Sequence, residues 1–164
     1  MIFVMVGTEK FPFDRLFKAI DNGIKTGRIK QKVFAQTGPS AYIPLSFDYT
    51  TELLPFDELV EFIQRSDIVV AHAGVGSTLL CLSMGKIPIL FPRYGRLGEH
   101  FDDHQVELAR QMERESKVLC AYNEEDLLYK ISSYKDLASQ LKKSDSGSNS
   151  NKKDLIDYLR KIIA

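Results

Sequence analysis

The chain has 164 residues and a formal net charge of zero, 22 Lys and Arg against 22 Asp and Glu. At about 150 residues per domain this is the length of one domain, and 44% hydrophobic with 27% charged residues is an ordinary globular balance. The lack of a basic excess disfavours a general nucleic-acid binder, and no apolar run approaches the ~18 residues that span a bilayer.

Ile2 to Val6 is an apolar run ending at Gly7-Thr8, the pattern of a buried strand and its turn. No basic residue precedes it, so a signal peptide is not expected. Pro12 opens a helical stretch in which Leu16, Phe17, Ile20 and Ile24 recur at helical spacing, stopped by Gly27. Lys32–Gln36 reads as a second strand and Phe47–Thr50 as a weaker third. Pro55 opens the next helix, with Asp57 and Glu58 in its first turn. Asp67–Ala71 is the clearest buried strand and runs into His72-Ala73-Gly74-Val75-Gly76-Ser77.

A short helix is expected over Thr78–Met84, ended by Gly85, then a strand over Ile87–Phe91 closed by Pro92. Asp102–Glu115 reads as a helix, Lys117–Ala121 as a last strand, and Glu124–Leu141 as a helix broken near Ser132-Ser133. Residues 1–143 form the expected domain; 144–151 read as a polar linker and 152–164 as an amphipathic helix with Leu155, Ile156, Leu159, Ile162 and Ile163 on its apolar face. Cys81 and Cys120 lie far apart in core-like surroundings, which fits reduced thiols in an intracellular protein. Strands alternating with helices, apolar throughout rather than every second residue, predict an α/β fold with a doubly wound, mostly parallel, Rossmann-like sheet. Such sheets bind ligands beyond the carboxyl ends of their strands.

Two segments at those ends carry candidate chemistry. In Gly74-Val75-Gly76-Ser77 the glycines admit a close backbone approach, Ser77 or Thr78 is a candidate helix cap, and free N–H groups at a helix start favour a diphosphate. A plain β–α turn that needs glycine for packing reads the same residues equally well. The spacing is neither that of a P-loop nor that of a dinucleotide fingerprint. The second segment, Arg93 to Gln105, holds two of the three histidines in the chain, His100 and His104, with Glu99, Asp102 and Asp103. It reads as donors and acceptors around a polyhydroxylated ligand, with Arg93 suited to phosphate. The competing reading is a metal on His100 and His104 with Asp103 or Glu99, for which no further firm ligand is evident. Asp102-Asp103 is explained by the dipole of the following helix. Gly7 and Thr8 open on the same edge.

In order and spacing, Phe3-Val4-Met5-Val6-Gly7-Thr8, Val33-Phe34-Ala35-Gln36-Thr37-Gly38, His72 to Ser77, Gly98-Glu99-His100 and Asp103-His104-Gln105 resemble the C-terminal-domain type of glycosyltransferase family 28. Within it the chain looks most like the short PssE-type subunits of bacterial exopolysaccharide and capsule synthesis, relatives of the soluble subunit of the dolichol-linked N-acetylglucosaminyl transferase.

The resemblance implies one half of a GT-B fold: the donor-binding, catalytic subunit of a two-component enzyme that moves a sugar from a UDP-sugar to a lipid-linked saccharide. Its partner would be a membrane-anchored PssD-type subunit carrying the acceptor site, and the chain would sit in the cytoplasm, peripheral to the inner face of the membrane. No cofactor and no metal are implied. Gly74, Val75, Gly76 and Ser77 would hold the diphosphate with charge from Arg93. Glu99, His100, Asp103, His104 and Gln105 would contact ribose or sugar hydroxyls. His72 is the local candidate for the general base. Where many relatives carry a ribose-gripping Glu, this chain has Leu80. The alternative is a non-catalytic accessory subunit that stabilises another transferase.

Overall fold

The computed structural model describes residues 1–145 and Asp157. Among them are strands β1 (Ile2–Met5), β2 (Val33–Gln36), β3 (Asp48–Thr50), β4 (Ile68–Ala71), β5 (Ile89–Leu90) and β6 (Leu119–Cys120). They form one sheet in the order β3-β2-β1-β4-β5-β6, every neighbouring pair parallel. This is the strand order of a doubly wound dinucleotide-binding domain, whose order reverses between the first and fourth strands. The register puts the last residues of all the strands in one row: Thr50, Gln36, Met5, Ala71, Leu90 and Cys120 are successive partners. Every loop that follows a strand therefore leaves from the same edge.

The helices are α1 (Asp14–Lys25), α2 (Phe56–Arg65), α3 (Val75–Ser83), α4 (His104–Arg114), α5 (Glu124–Ser132) and α6 (Tyr134–Asp145), with a 3-10 turn over Gly95–Leu97. Alternate strand residues point to opposite faces. Ile2, Val4 and Val6 pack with Leu16, Phe17 and Ile20 of α1 and Leu127 and Ile131 of α5. Phe3 and Met5 pack on the other face with Ile63 of α2, Cys81 of α3 and Leu108 and Met112 of α4. Both faces are covered, which is why the strands inside the sheet are largely apolar, while β3 at its edge is polar and mostly exposed.

The structure departs from the sequence reading in two places, the start of α3 and the end of α6. The helix expected from Thr78 starts at Val75, with Gly74 as its N-cap, so Ser77 and Thr78 lie inside the first turns instead of capping it. The crossover from β2 to β3 contains no helix, and the sequence reading placed none there. Carboxylates of α1 hold it instead: Asp14 Oδ1 accepts from the Ala41 and Tyr42 N–H groups at 3.0 and 3.2 Å, and Asp21 accepts from Tyr42 Oη, Leu45 N and Ser46 N at 2.6 to 2.9 Å. The segment read as a linker from residue 144 is still helical through Asp145. The rest of that linker and of the expected terminal helix lies outside the described residues, apart from Asp157, which is helical and exposed.

Candidate functional site

His72 follows β4 at the point where the strand order reverses. Its N–H donates to Met5 O at 3.2 Å, which extends the β1–β4 ladder by one step. The imidazole is 5% exposed and lies between two glycines. A Cβ on Gly7 would fall 2.5 Å from its Cε1 and Nε2, and one on Gly74 would overlap Nε2. Gly7 also has φ +72°, which a side chain would strain. Two of the expected ligand-approach glycines thus make room for a side chain of the protein itself.

Burial holds the His72 imidazole down to about 4, with the Arg93 charge adding to the effect and the Met5 carbonyl opposing it. His72 is neutral near pH 7 and holds its lone pair too weakly to deprotonate a hydroxyl. That burial argues against its expected role as general base. Its Nδ1 is buried without a hydrogen-bond partner.

Gly76 differs from the other two. It lies in the first turn of α3, is exposed, and a Cβ there meets nothing within 4 Å. No side chain caps α3. Thr78, fully buried, donates its hydroxyl to Gly74 O at 2.7 Å. The first-turn N–H groups of a helix have no intrahelical partners, so Val75, Gly76 and Ser77 present donors and the positive end of the dipole to the open edge, a setting that suits an anion.

The long loop between β5 and α4 is organised from within. Arg93 is 0% exposed. Its Nη1 donates to Phe11 O and Glu99 O at 2.9 and 3.1 Å and reaches Pro12 O at 3.5 Å, and its Nη2 donates to Val6 O at 3.0 Å. Burial draws the guanidinium down to about 10, opposed by Glu99 and Glu9. Arg93 thus ties the loops after β1 and β5 together and is not the expected phosphate ligand. Glu99, 5% exposed, accepts from Arg15 Nε and Nη2 at 2.8 and 3.0 Å and from Tyr94 N at 2.9 Å. Three donors thus already engage the carboxylate expected to contact the sugar. Gln105, also buried, accepts from Arg93 N through Oε1.

On the outer side of this frame Asp103 Oδ1 accepts from Gly95 N at 2.9 Å. His100 is 9% exposed, its ring stacked on Phe101 at 4.4 Å between centroids. Asp102, which the sequence reading assigned to the helix dipole alone, joins the two histidines. Its Oδ1 lies 2.9 Å from His100 Nδ1 and its Oδ2 2.6 Å from His104 Nδ1. The signal for it was the His-x-Asp-x-His spacing. The ion pair of Arg15 with Glu99 joins residues 84 apart and had no sequence signal.

The structure therefore brings Gly7, Thr8, Gly74, Val75, Gly76 and Ser77 to one edge, together with the loop that carries Asp103 and His104. Arg93, Glu99 and Gln105 lie beneath that surface. Among the described residues no group of three or more His, Cys, Asp and Glu side chains is placed to hold a metal ion, and no helix is long and apolar enough to cross a membrane.

This architecture has relatives. Human UDP-N-acetylglucosamine transferase subunit ALG13 is 32% identical over 122 residues, 70% of this chain and 10% of that protein. The subunit of the same name from Yarrowia lipolytica is 28% identical over 97 residues, 58% of this chain and 44% of that one. The crystal structure of the glycotransferase of kitacinnamycin superposes with a TM-score of 0.55 at 13% identity over 99% of this chain, which spans 40% of that structure. That likeness speaks to the fold alone, and the chain spans less than half the length of each of these proteins. The profile of the glycosyltransferase family 28 C-terminal domain matches residues 1–159, and with this match over nearly the whole sequence the chain belongs to that family.

Proposed function

We propose that the chain is the donor-binding subunit of a two-component glycosyltransferase. It holds a UDP-sugar at the edge where β1 and β4 diverge, and a membrane-attached second subunit presents the lipid-linked saccharide that receives the sugar. The resemblance to PssE-type subunits favours bacterial exopolysaccharide or capsule synthesis as the setting, with a PssD-type partner and a place on the inner face of the membrane.

One observation carries the reading: α3 begins uncapped at the switch point, and Gly76 leaves the space before its N–H groups open. Glycosyl transfer puts negative charge on the departing diphosphate. Fixed N–H donors at a helix start stabilise that charge without reorganising. His72, held neutral beneath Gly74, adds no positive charge to this pocket. The acceptor hydroxyl needs a base near its own operating pH, and this function falls to the second subunit.

Calorimetry with UDP and a panel of UDP-hexoses tests the reading. The wild-type chain is expected to bind the nucleotides, and Gly76→Asp to weaken binding at least about tenfold, because a carboxylate in that open space occupies the N–H groups and repels the anion. No heat with any uridine nucleotide would overturn the proposal in favour of the accessory subunit.

A further inference from the structure

We propose that Asp102 is a positioning residue: it fixes the His104 imidazole with its Nδ1 proton turned inward and its Nε2 lone pair turned outward, as the acceptor for a saccharide hydroxyl. The hydroxyl rests on the donor-binding reading above; the orientation stands without it.

Both oxygens of Asp102 are occupied. Oδ2 lies 2.6 Å from His104 Nδ1. Oδ1 lies 2.9 Å from His100 Nδ1 and accepts from His104 N at 3.1 Å. Partial burial raises the carboxyl, but the His104 N–H, the His100 ring and the charges of both histidines outweigh it and hold Asp102 below its usual range. An ionised carboxylate only accepts hydrogen bonds, so the His104 Nδ1 that faces Oδ2 carries a proton. A neutral imidazole has one N–H, and its lone pair then lies on Nε2.

The two rings meet different surroundings. His100 has an 8% exposed side chain, lies beside Phe11 and Phe101, and has Glu9 Oε1 3.9 Å from its Nε2. The His104 side chain is 76% exposed, so its lone pair is open to solvent. The backbone beneath is held from both sides: Asp103 Oδ1 accepts from Gly95 N, Gln105 Oε1 accepts from Arg93 N, and a Cβ on Gly95 would come within 3.1 Å of the Asp102 backbone. A lone pair fixed in this way accepts from a hydroxyl and repels a phosphate oxygen, which has no proton to offer. The site therefore selects for the sugar part of a donor and not for its diphosphate.

Nitrogen NMR of the histidine-labelled full chain tests the orientation at a pH well above the imidazole range, with His104→Gln to assign the signal. Wild type is expected to show His104 protonated on Nδ1. Asp102→Asn keeps the shape but has only one acceptor oxygen. The His104 backbone N–H already donates to the Oδ1 position, so the amide NH2 faces His104 Nδ1 and moves the ring proton to Nε2. Asp102→Ala is expected to release the ring to the same tautomer. A wild-type His104 protonated on Nε2, or a tautomer unchanged in both variants, overturns the proposal.

Calorimetry tests the ligand. Asp102→Asn is expected to reduce the preference for UDP-N-acetylglucosamine over UDP about fivefold to tenfold, the worth of one hydrogen bond, with UDP affinity itself unchanged. An unchanged preference overturns the hydroxyl role. Failure of the wild type to bind any uridine nucleotide overturns the donor reading and this ligand with it, while the tautomer comparison still decides whether Asp102 orients His104.

Discussion

In the unfolded chain His72 takes up a proton near pH 6.5, whereas in the folded protein burial first, and the Arg93 charge second, keep it neutral down to about 4. The folded value is depressed, so this stability is present above the unfolded value and is lost as pH falls toward the folded one. Between about pH 6.5 and pH 5 the protein should lose roughly 2 kcal/mol through this residue. Urea unfolding across that range should show a shallower loss for His72→Gln, and equal slopes would show that the imidazole titrates as freely folded as unfolded. The position of His72 at the end of a buried strand was legible in the sequence. Its chemistry was not, because the groups that enclose it come from Gly7, Gly74 and Arg93 on three different loops.

The start of α3 shows how an element can be located by its pattern and still be misplaced by one turn. Gly74-Val75-Gly76-Ser77 has low helix propensity, so the sequence points to a helix beginning at Thr78, whereas the chain turns helical at Val75. Tertiary packing of Thr78 and Cys81, both fully buried, overrides local preference here. The two glycines should therefore respond in opposite ways. Gly74→Ala places a methyl on the His72 ring and is expected to destabilise by about 1–3 kcal/mol. Gly76→Ala meets open space inside a helix and is expected to raise the melting temperature, by up to about 1 kcal/mol of stability, while weakening uridine nucleotide binding. Thermal unfolding of both variants checks the contrast; two equal losses would count against it. The break between α5 and α6 was legible, since Ser132-Ser133 interrupts the apolar period where the helices part. The ties that hold the helix-free crossover after β2 were not, because Asp14 and Asp21 find their partners about 25 residues further on.

Across the whole molecule the class of fold was the most legible feature. Short strands buried on both faces, all but the polar edge strand β3, require helices on both sides, and that requirement follows from apolar content alone. The loops above the sheet were less legible, because the ties between them are buried polar contacts. Arg93 is the largest: it joins the loops after β1 and β5 through the carbonyls of Val6, Phe11 and Glu99. Arg93→Met should lower stability by several kcal/mol in the absence of any ligand, at about 1–3 for each carbonyl left without a donor. Arg93→Lys should restore little of it, since one ammonium cannot span the fork of a guanidinium. Denaturant unfolding of the ligand-free chain reads both, and wild-type stability in Arg93→Met would return this residue to a surface role.

The open flank at Gly76 also has an evolutionary side. Packing places no demand on an unsubstituted backbone there, so on the donor-binding proposal only retention of the ligand guards that position. A lineage released from its chemistry would drift first at residue 76, gaining robustness as it did so, and its descendants would persist as sound scaffolds that had outlived their catalysis.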